Sequence, residues 1–309
     1  MTRAAVLAVG LATPLGDDPA AVLEALRSGR VGLRAHPPLA HLPGGALAGV
    51  VDGPDLKPWL RRRKDQKIMA RASELALAAA GRALAGGGPA AQAALEDLGI
   101  FLGVGREPPD DGESEAALAV SAVGGRLDDA LLAGPGRDRY PPLLPLRTLP
   151  NMALAHISIN LGAMGENGAW AGGAGAGLRA VVAGVRAVAE GRCPFALAGG
   201  ADSLVDLGSA RDRLRGGGRG PPGEGAAVLL LGPAGAAGAL AELEVGAAAE
   251  AWALDAAVAQ QMGDLGAACG AVALALAAAG ARGSGGGGVS RADPGEPAAH
   301  LQVRPPGAC

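Results

Sequence analysis

Aromatic side chains are nearly missing from this 309-residue chain: two Phe, one Tyr and three Trp make up 2% of it. With 49% apolar residues there is still ample material for a buried core. That core has to be built from Ala, Leu and Val, whose small side chains let backbones approach closely at a modest burial gain per residue. Cysteine is scarce too. Cys193, Cys269 and Cys309 lie far apart, form no CxxC pair and leave an odd count, which argues against both a disulfide framework and a zinc site. The thiols are read as reduced and the compartment as cytoplasmic. The net charge of −3 comes without a Lys/Arg-rich tail, so the positive field of a sequence-independent nucleic-acid binder is lacking. The longest uncharged stretch, residues 265–281, is largely Ala and Gly and falls short of a membrane span. The opening residues run from Met1 into Thr13-Pro14-Leu15-Gly16 with no small-residue cleavage site, and they read as a first strand rather than a signal peptide.

What is present alternates between strand and helix. Residues 4–10 form an apolar strand, a TPLG turn follows, and Pro19 to Ser28 places Val22, Leu23 and Leu26 on one helical face. Residues 68–84 repeat apolar positions at three and four until Gly86-Gly87-Gly88-Pro89 stops the helix. Residues 100–104 are a short buried strand. Periodicity weakens between Arg106 and Arg147, where six prolines gather, and this segment reads as a surface excursion with one helix around 115–123. A helix at 152–161, a strand at 168–171, a glycine cluster, a helix through Glu190 and a strand at 195–199 follow. Residues 226–231 and 239–245 are further strands, the latter opening a second α/β half. Such alternation favours a layered α/β fold. Residues 282–309, rich in Gly and Pro, are expected to be a disordered tail that cannot offset its ordering entropy.

Four blocks of sequence carry a more specific signal. Val9 to Gly16 is followed by Ser28-Gly29-Arg30-Val31-Gly32. Leu149-Pro150-Asn151-Met152 continues through His156-Ile157-Ser158-Ile159-Asn160 to Gly162, Gly165 and Asn167. Leu197 to Asp202 reads LAGGAD, and Gly223 to Leu231 reads GEGAAVLLL. In this order and spacing they resemble the β-ketoacyl-acyl-carrier-protein synthases. The resemblance implies a thiolase-like layered α-β-α-β-α fold. Residues 1–238 would be the N-terminal ketosynthase-like half, with 106–147 as its excursion, and residues 239–281 a truncated C-terminal half. Roughly 65 residues follow Val245, too few for the family's full second sheet.

The same resemblance locates what is lacking. The family carries a nucleophilic cysteine on a strand-to-helix elbow, where the helix N-terminus lowers the thiol pKa and backbone N–H groups hold the oxyanion. Here the register places Ala174 at that point, within Gly172, Gly173, Gly175 and Gly177. A methyl group forms no thioester. The glycines of the elbow, Gly172 and Gly173 above all, are expected to supply permissive dihedrals and close helix–strand approach. Two histidines are also required, and neither has an equivalent: residues 263–270 read as the second histidine motif with Asp264 in its place, and no first motif is found. No terminal Gly/Phe gating loop is found either.

Other candidates each have a plainer reading. Gly175 to Ala180 satisfies GxGxxA, yet a dinucleotide loop lacks its strand, its βαβ unit and its acidic partner. Arg61, Arg62, Arg63, Lys64, Lys67 and Arg71 form one basic patch: either a solvated face or, as the resemblance implies, an electrostatic dock (Arg62, Arg63, Lys64, Lys67, Arg71) for an acidic acyl carrier protein. Trp170 is a dimer-interface anchor or a core residue. His156 reads as a core histidine, and Cys269 as a buried thiol. No metal site and no cofactor are expected. The leading expectation is a non-condensing, chain-length-factor-like partner of an active ketosynthase in polyketide, aryl-polyene or fatty-acid-type biosynthesis, as a heterodimer or with itself. The alternatives are an acyl-thioester decarboxylase or hydrolase with a relocated site using Asp264 or Cys269, and a remnant without function.

Overall fold

The computed structural model describes residues 2–42, 47–106, 112, 114–218, 220–246, 253–281, 287–291 and 299–307. Trp252 and Cys309 lie outside them. In chain order the main elements are β1 (Arg3–Ala12), α1 (Pro19–Arg27), α2 (Arg71–Gly86), β2 (Gly99–Val104), α3 (Met152–Leu161), β3 (Asn167–Ala171), α4 (Ala176–Ala189), β4 (Ala196–Ser203), α5 (Leu207–Arg215), β5 (Glu224–Gly232), β6 (Ala241–Val245), α6 (Ala253–Met262), α7 (Cys269–Gly280), β7 (Gly287–Arg291) and β8 (Ala299–Arg304). Eight strands form one sheet in the order β7-β8-β6-β1-β5-β4-β2-β3. Only β4, β2 and β3 run parallel to each other; the remaining pairings are antiparallel.

The two faces of the sheet are covered by different helices. On one, α4 and α7 pack on Leu229, Leu231 and Phe101; on the other, α2 packs on Leu197, Val228 and Leu230, with α3 against its flank. The amphipathic α1 and α4 each show one buried stripe. In α7 every residue from Cys269 to Ala278 is buried, as its all-apolar CGAVALALAA run requires; α1 and α6 cover it from the far side. The fold is the layered α/β arrangement of the thiolase type with a shortened C-terminal half. Residues 241–304 add α6, α7 and three strands to the one sheet, and among the described residues they build no second large sheet.

Two expectations are corrected. The tail is not wholly without structure: residues 299–304 form β8, paired antiparallel to β6 from Glu242↔Arg304 to Val245↔Leu301, and Ala299, Leu301 and Val303 are buried. Their period-2 pattern was visible beneath the Gly/Pro-rich composition, but the open edge of β6 that receives them was not. The helix expected at 68–84 starts later, at Arg71; residues 63–68 are a separate 3₁₀ segment.

Arg71 is tied to a buried carboxylate. Its guanidinium forks onto Glu224 at 3.0 and 2.7 Å and donates to the Val51 carbonyl at 2.7 Å. Glu224, 1% exposed, also accepts from the Val51 N–H and the Ser203 hydroxyl. One carboxylate therefore fastens β4, β5, α2 and the loop at Val51. Glu224→Gln strands the guanidinium with half its partners, and a loss of about 3–5 kcal/mol in denaturant unfolding is expected. Replacing both ends, Glu224→Leu with Arg71→Met, is expected to cost less than the single change.

Candidate functional site

β3 ends at Ala171 and α4 starts at Ala176, so residues 172–175 make the elbow. Gly172 N–H donates to Val104 O at 3.0 Å, holding the turn against the end of β2, and Ala176 N–H donates to Gly173 O. None of Gly172, Gly173, Gly175 or Gly177 has a positive φ, so the expectation of unusual dihedrals is corrected. For Gly177 the reason for glycine is room: a Cβ there would stand 2.5 Å from Ala267 O and 3.3 Å from Gly200 Cα.

Ala174 opens into a cavity of about 300 Å³ lined also by Gly172, Gly173, Asp202, Arg213, Asp264 and Gly266. The two positions that the sequence paired by motif, Ala174 and Asp264, thus meet in one cavity. Asp264 is not a free base. Its Oδ2 accepts from Arg213 Nε at 2.7 Å and its Oδ1 from the Gly266 N–H at 3.0 Å, while its main chain bonds Pro221 and Gly223. Arg213, whose side chain is 8% exposed, comes from α5 and reaches on to the Gly220 carbonyl. At the rim, Arg106 pairs with Asp212 at 3.2 Å. Sequence reading missed Arg213; its position in RDRLR carries no motif, and only the docking of α5 aims it inward.

Asp202, the last residue of the LAGGAD block, is the most unusual titratable group. Burial pushes its carboxyl up to about 7, although the N–H groups of Ala267 and Ser203 donate to it. It is wedged between Gly105 and Gly266, where a Cβ would collide with it at 2.0 Å in either case.

None of the four histidines lines this cavity. His36 faces the Val205 carbonyl, His156 is buried in α3, and His300 lies in β8. Cys269 is also absent from the lining, buried at the start of α7 with Asp255 Oδ1 4.0 Å from its sulfur. Burial pushes the Cys193 thiol up to about 11. At the elbow itself the side chain is the methyl group of Ala174, which forms no thioester; the polar groups around it are Asp202, Ser209, Asp212, Asp264 and the guanidinium groups of Arg106 and Arg213. Among the described residues no cluster of His, Cys, Asp and Glu suits a metal ion.

The other candidates are dispersed. Trp170 is half-buried on β3 with its ring centroid 6.3 Å from that of Phe101, so it packs inward. Arg62, Arg63, Lys64 and Lys67 are exposed on the 3₁₀ segment and its approach. Arg71 leaves that patch, because its guanidinium is spent on Glu224, Glu74 and Val51.

Residues 1–217 match the family model of the β-ketoacyl synthase N-terminal domain. The chain belongs to the β-ketoacyl synthase family. Solved structures agree in fold at low identity. The ishigamide ketosynthase/chain length factor superposes with a TM-score of 0.72 at 19% identity, covering 98% of this chain and 99% of that one. A β-ketoacyl synthase from Burkholderia phymatum STM815 gives 0.71 at 16%, over 99% and 100%. The AntDE:AntF complex, a type II polyketide synthase acyl-carrier protein with its ketosynthase, gives 0.71 at 14%, again over 99% and 100%.

Two measurements follow from the cavity. Ala174→Cys is expected to create a thiol at the N-terminus of α4 that alkylates faster than Cys193 or Cys269, seen by intact mass and peptide mapping, whereas the natural chain takes up no acyl group from an acyl thioester. A stable acyl adduct on the natural chain would overturn this account. The second concerns pH. A carboxyl whose folded pKa is raised binds its proton more tightly folded than unfolded, so the stability it confers is full near pH 4 and is lost as pH rises through 7. The drop in unfolding free energy between pH 5.5 and 8 is therefore expected to be smaller in Asp202→Asn than in the natural chain.

Proposed function

We propose that this chain is a non-condensing, chain-length-factor-like subunit that pairs with an active ketosynthase in polyketide, aryl-polyene or fatty-acid-type biosynthesis. The observation that carries the reading is the elbow: Ala174 stands where acyl capture would occur, and the carboxylate opposite it is tied to Arg213. Such a subunit acts by shape, bounding a growing acyl chain and stabilising its partner, and needs no cofactor.

The pairing surface is supported by what the chain leaves uncovered. β3 is an edge strand bonded only to β2, and unpaired edges invite another strand. Of thirteen exposed large apolar side chains among the described residues, ten fall between residues 118 and 164, among them Val123, Leu127, Leu143 and Met164. Contiguous apolar surface marks an association site, and this segment supplies exposed apolar side chains for one. One structural relative is itself described as a ketosynthase/chain length factor, and another as an acyl-carrier protein in complex with its ketosynthase; the partner kinds proposed here are the same. Among the described residues no helix is long and apolar enough to cross a membrane, and a cytoplasmic setting suits the scattered, buried thiols Cys193 and Cys269.

An acidic carrier protein would meet Arg62, Arg63, Lys64 and Lys67, the exposed cations that remain once Arg71 is set aside. The decarboxylase or hydrolase reading has less behind it, since Asp264 is ion-paired and Cys269 lies outside the cavity.

Co-expression with an intact ketosynthase from the same gene neighbourhood, followed by size-exclusion chromatography and product analysis, tests the proposal. A single one-to-one species is expected, dissociated by Leu143→Asp with Leu127→Asp, and products of altered length when this chain is omitted. Two separately migrating species with unchanged products would sink it.

A further inference from the structure

The basic segment and helix α3 are joined in a way that the proposed activity does not explain. Residues 61–68 are attached to α3 at both ends. At the first end, the Arg61 N–H donates to Asn160 Oδ1 at 3.0 Å. The Arg61 side chain lies over the helix C-cap, where a Cβ on Gly162 would stand 2.7 Å from Arg61 Nη2; a guanidinium there complements the negative end of the helix dipole. At the second end, the buried His156 ring lies against the Ile68 backbone. His156 and Asn160 are one helical turn apart on one face, 3% and 7% exposed respectively, and they are linked to each other through Asn160 Nδ2 and the His156 carbonyl at 2.9 Å. His156 Nε2 has no hydrogen-bond partner. Burying such a group carries a cost.

Between the two anchors the segment is short and internally braced. Asp65 N–H bonds Arg62 O, Met69 N–H bonds Gln66 O, and the Gln66 side chain bonds Glu74. Arg62, Arg63, Lys64 and Lys67 project outward from this frame. Long cationic side chains on a mobile loop lose much of their attraction for a partner to the ordering of the backbone beneath them; a loop held in place loses only side-chain freedom.

We propose that His156 and Asn160 are positioning residues that preorganise the Arg62-Arg63-Lys64-Lys67 ridge for an acidic partner protein. The inference rests on the carrier-docking reading above. It assigns to the HISIN stretch a part in recognition, transmitted through the backbone of residues 61–68, in addition to its packing against α2.

The test uses the full chain and a holo acyl carrier protein of acidic surface, with affinity measured by titration across a range of salt. Asn160→Leu and His156→Phe are expected to weaken binding about tenfold each with the thermal midpoint little changed, to flatten the salt dependence, and to speed amide hydrogen exchange in residues 61–68. Asn160→Asp, which keeps the acceptor for Arg61 N–H, is expected to restore most of the affinity. Lys64→Glu serves as the control for the docking reading itself. If Lys64→Glu weakens binding but Asn160→Leu and His156→Phe leave affinity and salt slope intact, the positioning role is wrong and docking survives. If neither the natural chain nor any variant binds the carrier, both ideas fall. Should Asn160→Leu fold poorly, exchange rates and affinity for His156→Phe decide the question alone.

Discussion

Contact between bare backbones sets the geometry of this protein. Where α2 crosses β1, a Cβ on Gly10 would fall 1.9 Å from Ala79 O; where α4 crosses β2, one on Gly103 would meet Ala176 and Gly177 backbone at 2.3 Å; where the turn before α7 meets β4, one on Gly200 would stand 2.6 Å from Ala267 O. A chain with 2% aromatic residues has few side chains large enough to fill wide gaps between layers, and its helices settle onto the sheet at the distance that glycine permits. The same crossings draw the elbow, the end of β4 and the start of α7 into one place. That is why Ala174, Asp202 and Asp264 share a cavity although they are distant in sequence.

Buried charge in this fold serves attachment. Glu224 and Arg71 gather a loop, a helix and two strands, and Arg213 with Asp264 joins α5 to the segment ahead of α7. Paired and hydrogen-bonded on several sides, these groups avoid the penalty of isolated ions. The Asp264 carboxylate has both oxygens engaged, by a guanidinium at 2.7 Å and by a backbone N–H at 3.0 Å. The alanine at the elbow and the occupied carboxylate are the two features on which the proposed non-condensing role rests.

Much of this was legible along the chain. The strand and helix runs, the elbow and the alanine within it were marked by residue types in fixed order, because motifs that hold a backbone turn or a close approach leave glycines at set intervals. Other features were not. Arg71 reads as one more surface cation beside Lys64 and Lys67 until its partner, 153 positions away, is brought beside it. Trp170 is one aromatic on an apolar strand in the sequence, and only the fold sets it beside Phe101. The pattern of residues 299–304 is too short to outweigh its Gly/Pro-rich surroundings without a receiving strand.

The sequence alone determined the family, most of the strands and helices up to Val245 and the alanine within the elbow, since each of these depends on residue identity and on spacing of a few positions. The tertiary structure decided which charges are free and which are spent, where the shortened half attaches, and how His156 and Asn160 grip residues 61–68. Those outcomes depend on pairings between distant segments, and a carboxylate or an edge strand acquires its role only when folding selects the partner that satisfies it.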